Sequence, residues 1–181
     1  MADPVSLRCA VFTISSRRTA EDDSSGDLLA DCLRAAGHQL VRCAIVPYNL
    51  YQIRRVLSDC IADGEVQVVL TNGGTGFAAN NVVPEAVLPL LDREIPGFGE
   101  LLRQLSHDDI GSSALQARSL GGLANDTLIF CLPGSPGACR DGWDGILGPQ
   151  LDYRTRPCNF VEIMPRLDEH LRRPKAQGAS V

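Results

Sequence analysis

The chain has 181 residues, a length that suits one domain and allows it to bury roughly two-thirds of the surface that the unfolded chain would expose. Hydrophobic residues make up 44% of the sequence and charged residues 22%, a composition that excludes an intrinsically disordered chain. Seventeen basic and twenty-two acidic residues leave a formal net charge of −5, and no basic stretch concentrates positive charge, so nucleic acid is not expected as a partner.

The start of the chain, its apolar runs and its cysteines predict a cytoplasmic protein. Residues 1–4 (MADP) lack the basic and apolar regions of a secretory signal, and no apolar run approaches the roughly 18 residues of a membrane span. The seven cysteines are an odd number and form no Cys-x-x-Cys pair. Most of them lie within apolar patterns, which indicates small buried thiols in a reducing compartment.

The first part of the chain alternates between strand and helix patterns. A β-prone run at residues 7–15 is followed by a helix pattern that Gly37 ends. A second strand is predicted over Gln39–Val46 and a second helix over Leu50–Asp63. Residues 66–70 form a short, almost wholly apolar strand, as expected in a parallel sheet with helices on both faces. This order predicts right-handed strand-helix-strand units.

The second part of the chain is less regular. Residues 84–122 mix helical periods with Pro96-Gly97 and Gly111, so several short helices and loops are predicted there. A buried strand is predicted over Thr127–Leu132, and a helix over about residues 138–147 follows it.

These patterns predict one α/β domain, over residues 1–168. The segment after it, residues 169–181, is polar, contains proline and glycine and has no apolar periodicity, so a flexible C-terminal tail is predicted. The sequence contains no internal repeat and no sign of a second domain.

Two glycine-rich turns follow predicted strands, at residues 72–76 (NGGTG) and 133–137 (PGSPG). Ligands of open α/β sheets bind outside the carboxyl ends of the strands, so the two turns could shape one pocket. Glycine lets successive backbone N–H groups converge on an anion, and a helix N-terminus adds partial positive charge. A phosphate-bearing ligand would suit both turns, although either of them could also serve only to turn the chain.

Motifs of other function classes do not match. The first strand is not followed by G-x-G-x-x-G, no Lys-Ser or Lys-Thr completes a P-loop, and residues 134–137 do not fit a G-x-S-x-G elbow. The three histidines, His38, His107 and His170, are far apart and have no cysteine or carboxylate at metal-ligand spacing. No zinc site is therefore expected, and His38, directly after Gly37, is predicted to be structural.

Further motifs extend along most of the chain, and their order carries a family resemblance. The motifs are DSSG (23–26), AGH (36–38), GGTG (73–76), PEA (84–86), DREIPGFGE (92–100), IGS (110–112), Arg118, PGSPGACR (133–140) and TRPCNF (155–160). From about residue 9 to about residue 160 they resemble the MoaB/MogA family of molybdopterin-binding proteins, and the last motif points to the MoaB branch. The resemblance implies a three-layer αβα fold with a mostly parallel central sheet.

The resemblance also implies a ligand and an assembly. Members are usually trimers or hexamers that hold molybdopterin by its phosphate and its pterin, and active members use magnesium to transfer AMP from ATP to that phosphate. No metal ligand carries over to this chain, and other proteins of the cofactor pathway are possible partners. The carried-over ligand-binding residues are Gly73, Gly74, Thr75, Gly76, Ser112, Pro133, Gly134 and Ser135, with Glu85 and Arg118 as polar partners.

Several positions depart from the pattern of active relatives. Asn81 stands where the pattern Asp-x-x-Pro-Glu has its aspartate, and near residues 46–49 only Asn49 or Tyr48 is available where a second acid is expected. In addition, Asn72 replaces a favoured threonine and Ala117 a favoured serine. An amide binds a hard cation poorly, so AMP transfer is expected to suffer more than molybdopterin binding.

Three functions follow as hypotheses. The first is molybdopterin binding in molybdenum cofactor biosynthesis with weak or absent adenylyl transfer. The second is an active adenylyltransferase that uses magnesium and ATP with rearranged acids, for which Glu85 or Asp92 could supply the charge. The third is a non-catalytic oligomeric scaffold for the pathway.

Overall fold

In the computed structural model, which describes residues 5–166, six strands form one sheet. The strands are β1 Arg8–Ile14, β2 Gln39–Val46, β3 Val68–Asn72, β4 Arg93–Glu94, β5 Leu120–Ala124 and β6 Thr127–Leu132. Their order in the sheet is β2-β1-β3-β6-β5-β4. Within these residues β5 alone runs against the other strands, because it pairs antiparallel with both β6 and β4. The mostly parallel sheet confirms the predicted α/β class.

Helices cover both faces of this sheet. Side chains alternate along the strands, so Val11 and Phe130 face one apolar cluster while Phe12 and Ile129 face another. The α-helices are α1 Ser24–Ala35, α2 Leu50–Asp63, α3 Val83–Val87, α4 Pro96–Ile110, α5 Pro136–Gly142, α6 Gly148–Gln150 and α7 Phe160–Ile163. Helices α1, α4 and α5 cover the first cluster, and α2 and α3 cover the second, which gives the predicted three layers.

The prediction for residues 84–122 was only partly correct. The short helix α3 and the 3-10 turns Leu88–Leu90 and Gly111–Gln116 are present, but α4 is one helix of 15 residues, and β4 and β5 were not predicted. Pro96 occupies the first turn of α4 and Gly111 its C-cap, so the two supposed interruptions are the ends of a single helix.

Two predicted boundaries also moved. The third strand lies at Val68–Asn72, two residues later than predicted, so it ends directly at the glycine turn. The helix after the second turn begins at Pro136 rather than at residue 138, because the Ser135 hydroxyl accepts a hydrogen bond from the backbone N–H of Ala138 and caps it. That helix continues through the π-helical turn Trp143–Leu147 to Gln150. The predicted tail, residues 169–181, lies outside the described residues.

Most cysteines are buried, as predicted. Burial raises the pKa of the Cys9, Cys131 and Cys139 thiols to about 12, whereas Cys43 and Cys158 are exposed. Within residues 5–166, no cluster of His, Cys, Asp or Glu side chains has the arrangement of a metal site. The helices of the same segment include none that is long and apolar enough to cross a membrane.

His38 is buried and hydrogen-bonded to the backbone, and we expect its titration to make the stability of the fold depend on pH. Its Nδ1 accepts a hydrogen bond from the Leu7 backbone N–H at 3.3 Å, and burial lowers its pKa against an opposing effect of Asp152. The unfolded chain therefore takes up a proton near pH 6.5 that the folded chain resists. The free energy of unfolding should fall as the pH drops below about 6.5.

Urea unfolding at pH 7.5 and at pH 5.5 measures this effect. The variant His38→Gln should lose part of the pH dependence, whereas His107→Gln, changed at an exposed position of α4, should retain it. Equal pH dependence in wild type and His38→Gln would contradict the assignment.

Candidate functional site

The two glycine-rich turns meet at one edge of the sheet. Strands β3 and β6 are neighbours, and Asn72 lies opposite Leu132 in their register, so both turns begin at the same level. The Gly73 N–H donates a hydrogen bond to the Leu132 carbonyl at 3.0 Å. A Cβ added to Gly134 would lie 3.1 Å from the Gly73 Cα. The backbones of the two turns are thus in direct contact at the carboxyl ends of parallel strands.

Glycine is required in the first turn. Gly73 and Gly74 have φ angles of +89° and +70°, which residues with a Cβ atom rarely adopt. A Cβ on Gly73 would lie 2.6 Å from the Ile14 carbonyl oxygen, and a Cβ on Gly74 would lie 2.7 Å from a methyl group of Val83. The turn is therefore packed against β1 and the start of α3 as closely as a bare backbone allows.

A cleft of about 340 Å³ opens where the turns meet. Its far wall comes from the C-terminal end of α4 and the 3-10 turn that follows it, and Tyr48, two residues before α2, also lines it. The lining residues are Tyr48, Gly73, Gly74, Thr75, Gly76, Asn81, Ser106, Ile110, Ser113, Ala114, Gln116, Ala117, Pro133, Gly134, Ser135 and Ala138.

Backbone donors are concentrated in this cleft. Across residues 5–166, the N–H groups of Gly74, Thr75, Gly76, Gly134 and Ser135 donate no hydrogen bond to the protein. Such consecutive unpaired amides form the kind of concavity that binds anions. The side chains that line the cleft include no Asp, Glu, Lys, Arg or His, so the site is uncharged apart from the backbone dipoles.

Behind one wall of the cleft, Arg118 and Glu85 form an ion pair. The guanidinium also donates to the carbonyl oxygens of Gly76 and Asn81, at 2.8 and 2.6 Å from Nη2. The hydrogen bond from Arg118 holds the pKa of the Glu85 carboxyl below its usual value. Neither side chain lines the cleft.

Comparison with known proteins identifies the family. Residues 10–153 match the model of a family described as a probable molybdopterin binding domain. Molybdenum cofactor biosynthesis protein B of Escherichia coli K12 is 54% identical over 156 residues, which cover 86% of this chain and 92% of that protein. The chain belongs to the molybdenum cofactor biosynthesis protein B family.

Other members of the protein B family agree with this assignment. The protein of that name from Bacillus cereus is 43% identical over 153 residues, covering 84% of this chain and 90% of the relative. A crystal structure of a molybdenum cofactor biosynthesis protein B superimposes with a TM-score of 0.83 at 39% identity, covering 93% of this chain and 99% of the solved one.

Most of the residues carried over from the family resemblance lie in the cleft. The four residues of the first turn, Gly73 to Gly76, and the three of the second, Pro133 to Ser135, all line it. Ser112 does not line it, whereas its neighbour Ser113 does. Ser106 and Ile110 were not predicted to line the site, although Ile110 belongs to the IGS motif, because they lie one helical turn apart on α4, which was not predicted as one helix.

The two expected acidic positions of the family contribute neutral groups. Asn81 lines the cleft, with its amide 3.7–3.8 Å from the position that a Cβ on Gly76 would occupy. Of the two candidates after β2, half-buried Tyr48 lines the cleft. Asn49 instead caps α2, where its Oδ1 accepts hydrogen bonds from the N–H groups of Tyr51 and Gln52.

The other two departures from the family pattern differ in their position. Ala117 lines the cleft, where the serine expected from the family pattern would offer a hydroxyl and the alanine does not. Asn72 lies outside it: the side chain is buried at the end of β3, and its Nδ2 donates to the Thr13 hydroxyl at 2.8 Å. The Asn72 Oδ1 has no partner within residues 5–166.

Proposed function

We propose that this protein binds molybdopterin in the cleft between the two glycine turns and serves molybdenum cofactor biosynthesis with weak or absent adenylyl transfer. The observation that carries the proposal is the character of the cleft, which combines unpaired backbone amides with a lining free of charged side chains. The amides suit the phosphate of the ligand, and the missing carboxylates remove what the transfer of AMP requires.

Backbone amides can hold the phosphate without a basic residue. A hydrogen bond to a charged group contributes roughly 1.5–3 kcal/mol, so three or four of the five unpaired amides would suffice for binding. Tyr48 adds the aromatic ring of the lining, against which a flat pterin could stack. An acidic protein can therefore bind this anion through its backbone.

The lining does not fit magnesium. Mg²⁺ binds through carboxylates, phosphate oxygens and water, and the protein side chains here offer two amides, hydroxyls and a phenol. In AMP transfer the molybdopterin phosphate attacks the α-phosphorus of ATP and pyrophosphate leaves, which concentrates negative charge that a cation normally offsets. We therefore expect neither tight Mg-ATP binding nor rapid transfer.

The alternative of an active adenylyltransferase with rearranged acids finds little support. Glu85 is paired with Arg118 behind the cleft wall. Asp92 accepts a hydrogen bond from the Asn125 N–H, in the turn between β5 and β6. Neither carboxylate lines the cleft.

Assembly and location are further parts of the proposal. Phe77, Ile110 and Leu115 are exposed around the cleft, and such apolar side chains are what a trimer or hexamer would cover. They also favour the scaffold alternative, which requires an assembly but no ligand. Sedimentation of the purified chain separates a monomer from these assemblies.

Seven free thiols suit the reducing cytoplasm, where we place the protein.

Equilibrium titration with molybdopterin tests the binding. Thr75 lies in the first turn and its hydroxyl has no protein partner within residues 5–166, so Thr75→Val should weaken binding about tenfold, the value of a single hydrogen bond to phosphate. Thr71→Val is the matched control, because Thr71 lies on β3 just before the turn, is buried like Thr75 and does not line the cleft. No saturable binding by the wild type would refute the proposal and leave the scaffold.

A further inference from the structure

The loop at residues 76–81 forms one wall of the cleft. Both of its ends, Gly76 and Asn81, line the cleft, while the residues between them are exposed, and Phe77 reaches 72% exposure. One backbone hydrogen bond lies inside the loop, from the Asn81 N–H to the Ala78 carbonyl at 2.8 Å. A loop with so few bonds of its own needs contacts from outside to keep one conformation.

Arg118 supplies these contacts. Its Nε and Nη2 donate to the Gly76 carbonyl at 3.0 and 2.8 Å, and Nη2 also donates to the Asn81 carbonyl at 2.6 Å. The Arg118 backbone N–H donates to the Thr75 carbonyl at 2.9 Å. One residue is therefore bonded to the first turn, where the loop begins, and to the residue at which the loop ends.

Two further contacts fix the guanidinium itself. Glu85 on α3 pairs with Nη1 and approaches Nη2 at 3.4 Å. The Phe77 ring lies over the guanidinium, 5.3 Å from its centroid to the Arg118 Cζ. The donors on the fork are thus occupied by protein acceptors rather than directed at the cleft.

We infer that Arg118 is a positioning residue, which closes the loop of residues 76–81 into a rigid wall and touches no part of the ligand. This inference rests on the proposed molybdopterin binding, but it assigns Arg118 a role different from the direct ligand contact that the family resemblance implies. The planar fork bridges two carbonyl groups and a carboxylate at once, and a lysine ammonium on a flexible stem does not reproduce this geometry.

The test compares Arg118→Lys with Arg54→Lys. Arg54 is the matched control because it also donates to backbone carbonyls, those of Glu85 and Ala86 at 2.9 and 3.4 Å, but has no contact with the loop. Limited digestion with chymotrypsin, which cuts after aromatic residues, reports opening of the loop at Phe77. Titration with molybdopterin reports the effect on the cleft, and urea unfolding verifies that each variant is folded.

In Arg118→Lys we expect cleavage after Phe77 and the molybdopterin Kd each to rise about tenfold, while Arg54→Lys leaves both near wild type. A higher Kd with unchanged cleavage would overturn the inference, because it would mean that the guanidinium contacts the ligand directly. No change in either quantity would also overturn it. If the wild type binds no molybdopterin but Arg118→Lys still speeds cleavage, the proposed function fails and the role in positioning the loop stands.

Should Arg118→Lys not fold, Glu85→Gln replaces it. That change removes the charge that fixes the guanidinium but retains an acceptor, so a smaller rise in cleavage after Phe77 is expected. Unchanged cleavage in a folded Glu85→Gln variant would count against the inference.

Discussion

The double variant Asn81→Asp, Tyr48→Asp is expected to transfer AMP from ATP to molybdopterin at least about a hundredfold faster than the wild type, with a requirement for magnesium. Asn81 stands where active relatives are expected to have an acid, and Tyr48 is the one of the two candidates for the second acidic position that lines the same cleft. The two substitutions would place carboxylates beside the amides that we assign to the phosphate. Asn81→Asp alone should give a smaller gain, because a single carboxylate holds the cation less well.

Accumulation of adenylylated molybdopterin, followed with and without Mg²⁺, measures this gain. Asn80→Asp and Asn49→Asp are matched controls, since each adds the same charge at the neighbouring residue but outside the cleft. Asn49→Asp also retains an oxygen that can cap α2. A gain in the controls as large as in the double variant would show that added charge, not its position, is responsible. A folded double variant that still binds molybdopterin but shows no gain would contradict the assignment of the two positions.

Gly73→Ala is expected to destabilise the fold by roughly 2–4 kcal/mol and to abolish molybdopterin binding. The φ angle of Gly73 is +89°, and the added Cβ would lie 2.6 Å from the Ile14 carbonyl oxygen. The backbone must shift to relieve this contact. Since Gly73 also touches the second turn at Gly134, the shift would separate the two sets of amides.

Urea unfolding gives the change in free energy, and a titration with molybdopterin gives the loss of binding. Gly97→Ala is the control, because a Cβ at this position of α4 meets no atom within 4 Å. Alanine favours a helix over glycine by up to about 1 kcal/mol, so this variant should be as stable as wild type or slightly more stable. Tight binding by Gly73→Ala would show that the turn tolerates a side chain and would argue against its close approach to a ligand.

Much of the fold could be predicted because local patterns and tertiary packing agree. The apolar run Thr127–Leu132 forms a strand that is buried on both faces, and the one-faced period of Leu50–Asp63 forms a helix that buries that face. The region of residues 84–122 was harder, since proline and glycine have the same appearance in a sequence whether they interrupt a helix or bound it. In β5, which was not predicted, Gly121 and Gly122 lie where a Cβ would meet Phe130 and Leu91 at less than 3 Å.

The candidate site, like the fold, was predictable in some parts and not in others. Its two glycine turns were evident because each follows a strand, and parallel strands bring their carboxyl ends together. The sequence could not separate Tyr48 from Asn49, because only the geometry shows which one faces the cleft and which one caps a helix. Ser113 and Gln116 carry no motif, and they reach the cleft through the 3-10 turn after α4.

The most direct test of this account is one reaction with the wild-type chain. Protein saturated with molybdopterin is mixed with ATP and Mg²⁺, and both bound molybdopterin and its adenylylated form are quantified over time. We expect molybdopterin to remain bound and the adenylylated form to stay near the level of a protein-free control. Rapid formation of adenylylated molybdopterin would contradict the account, because it would require a magnesium site that the uncharged side chains of the cleft do not provide.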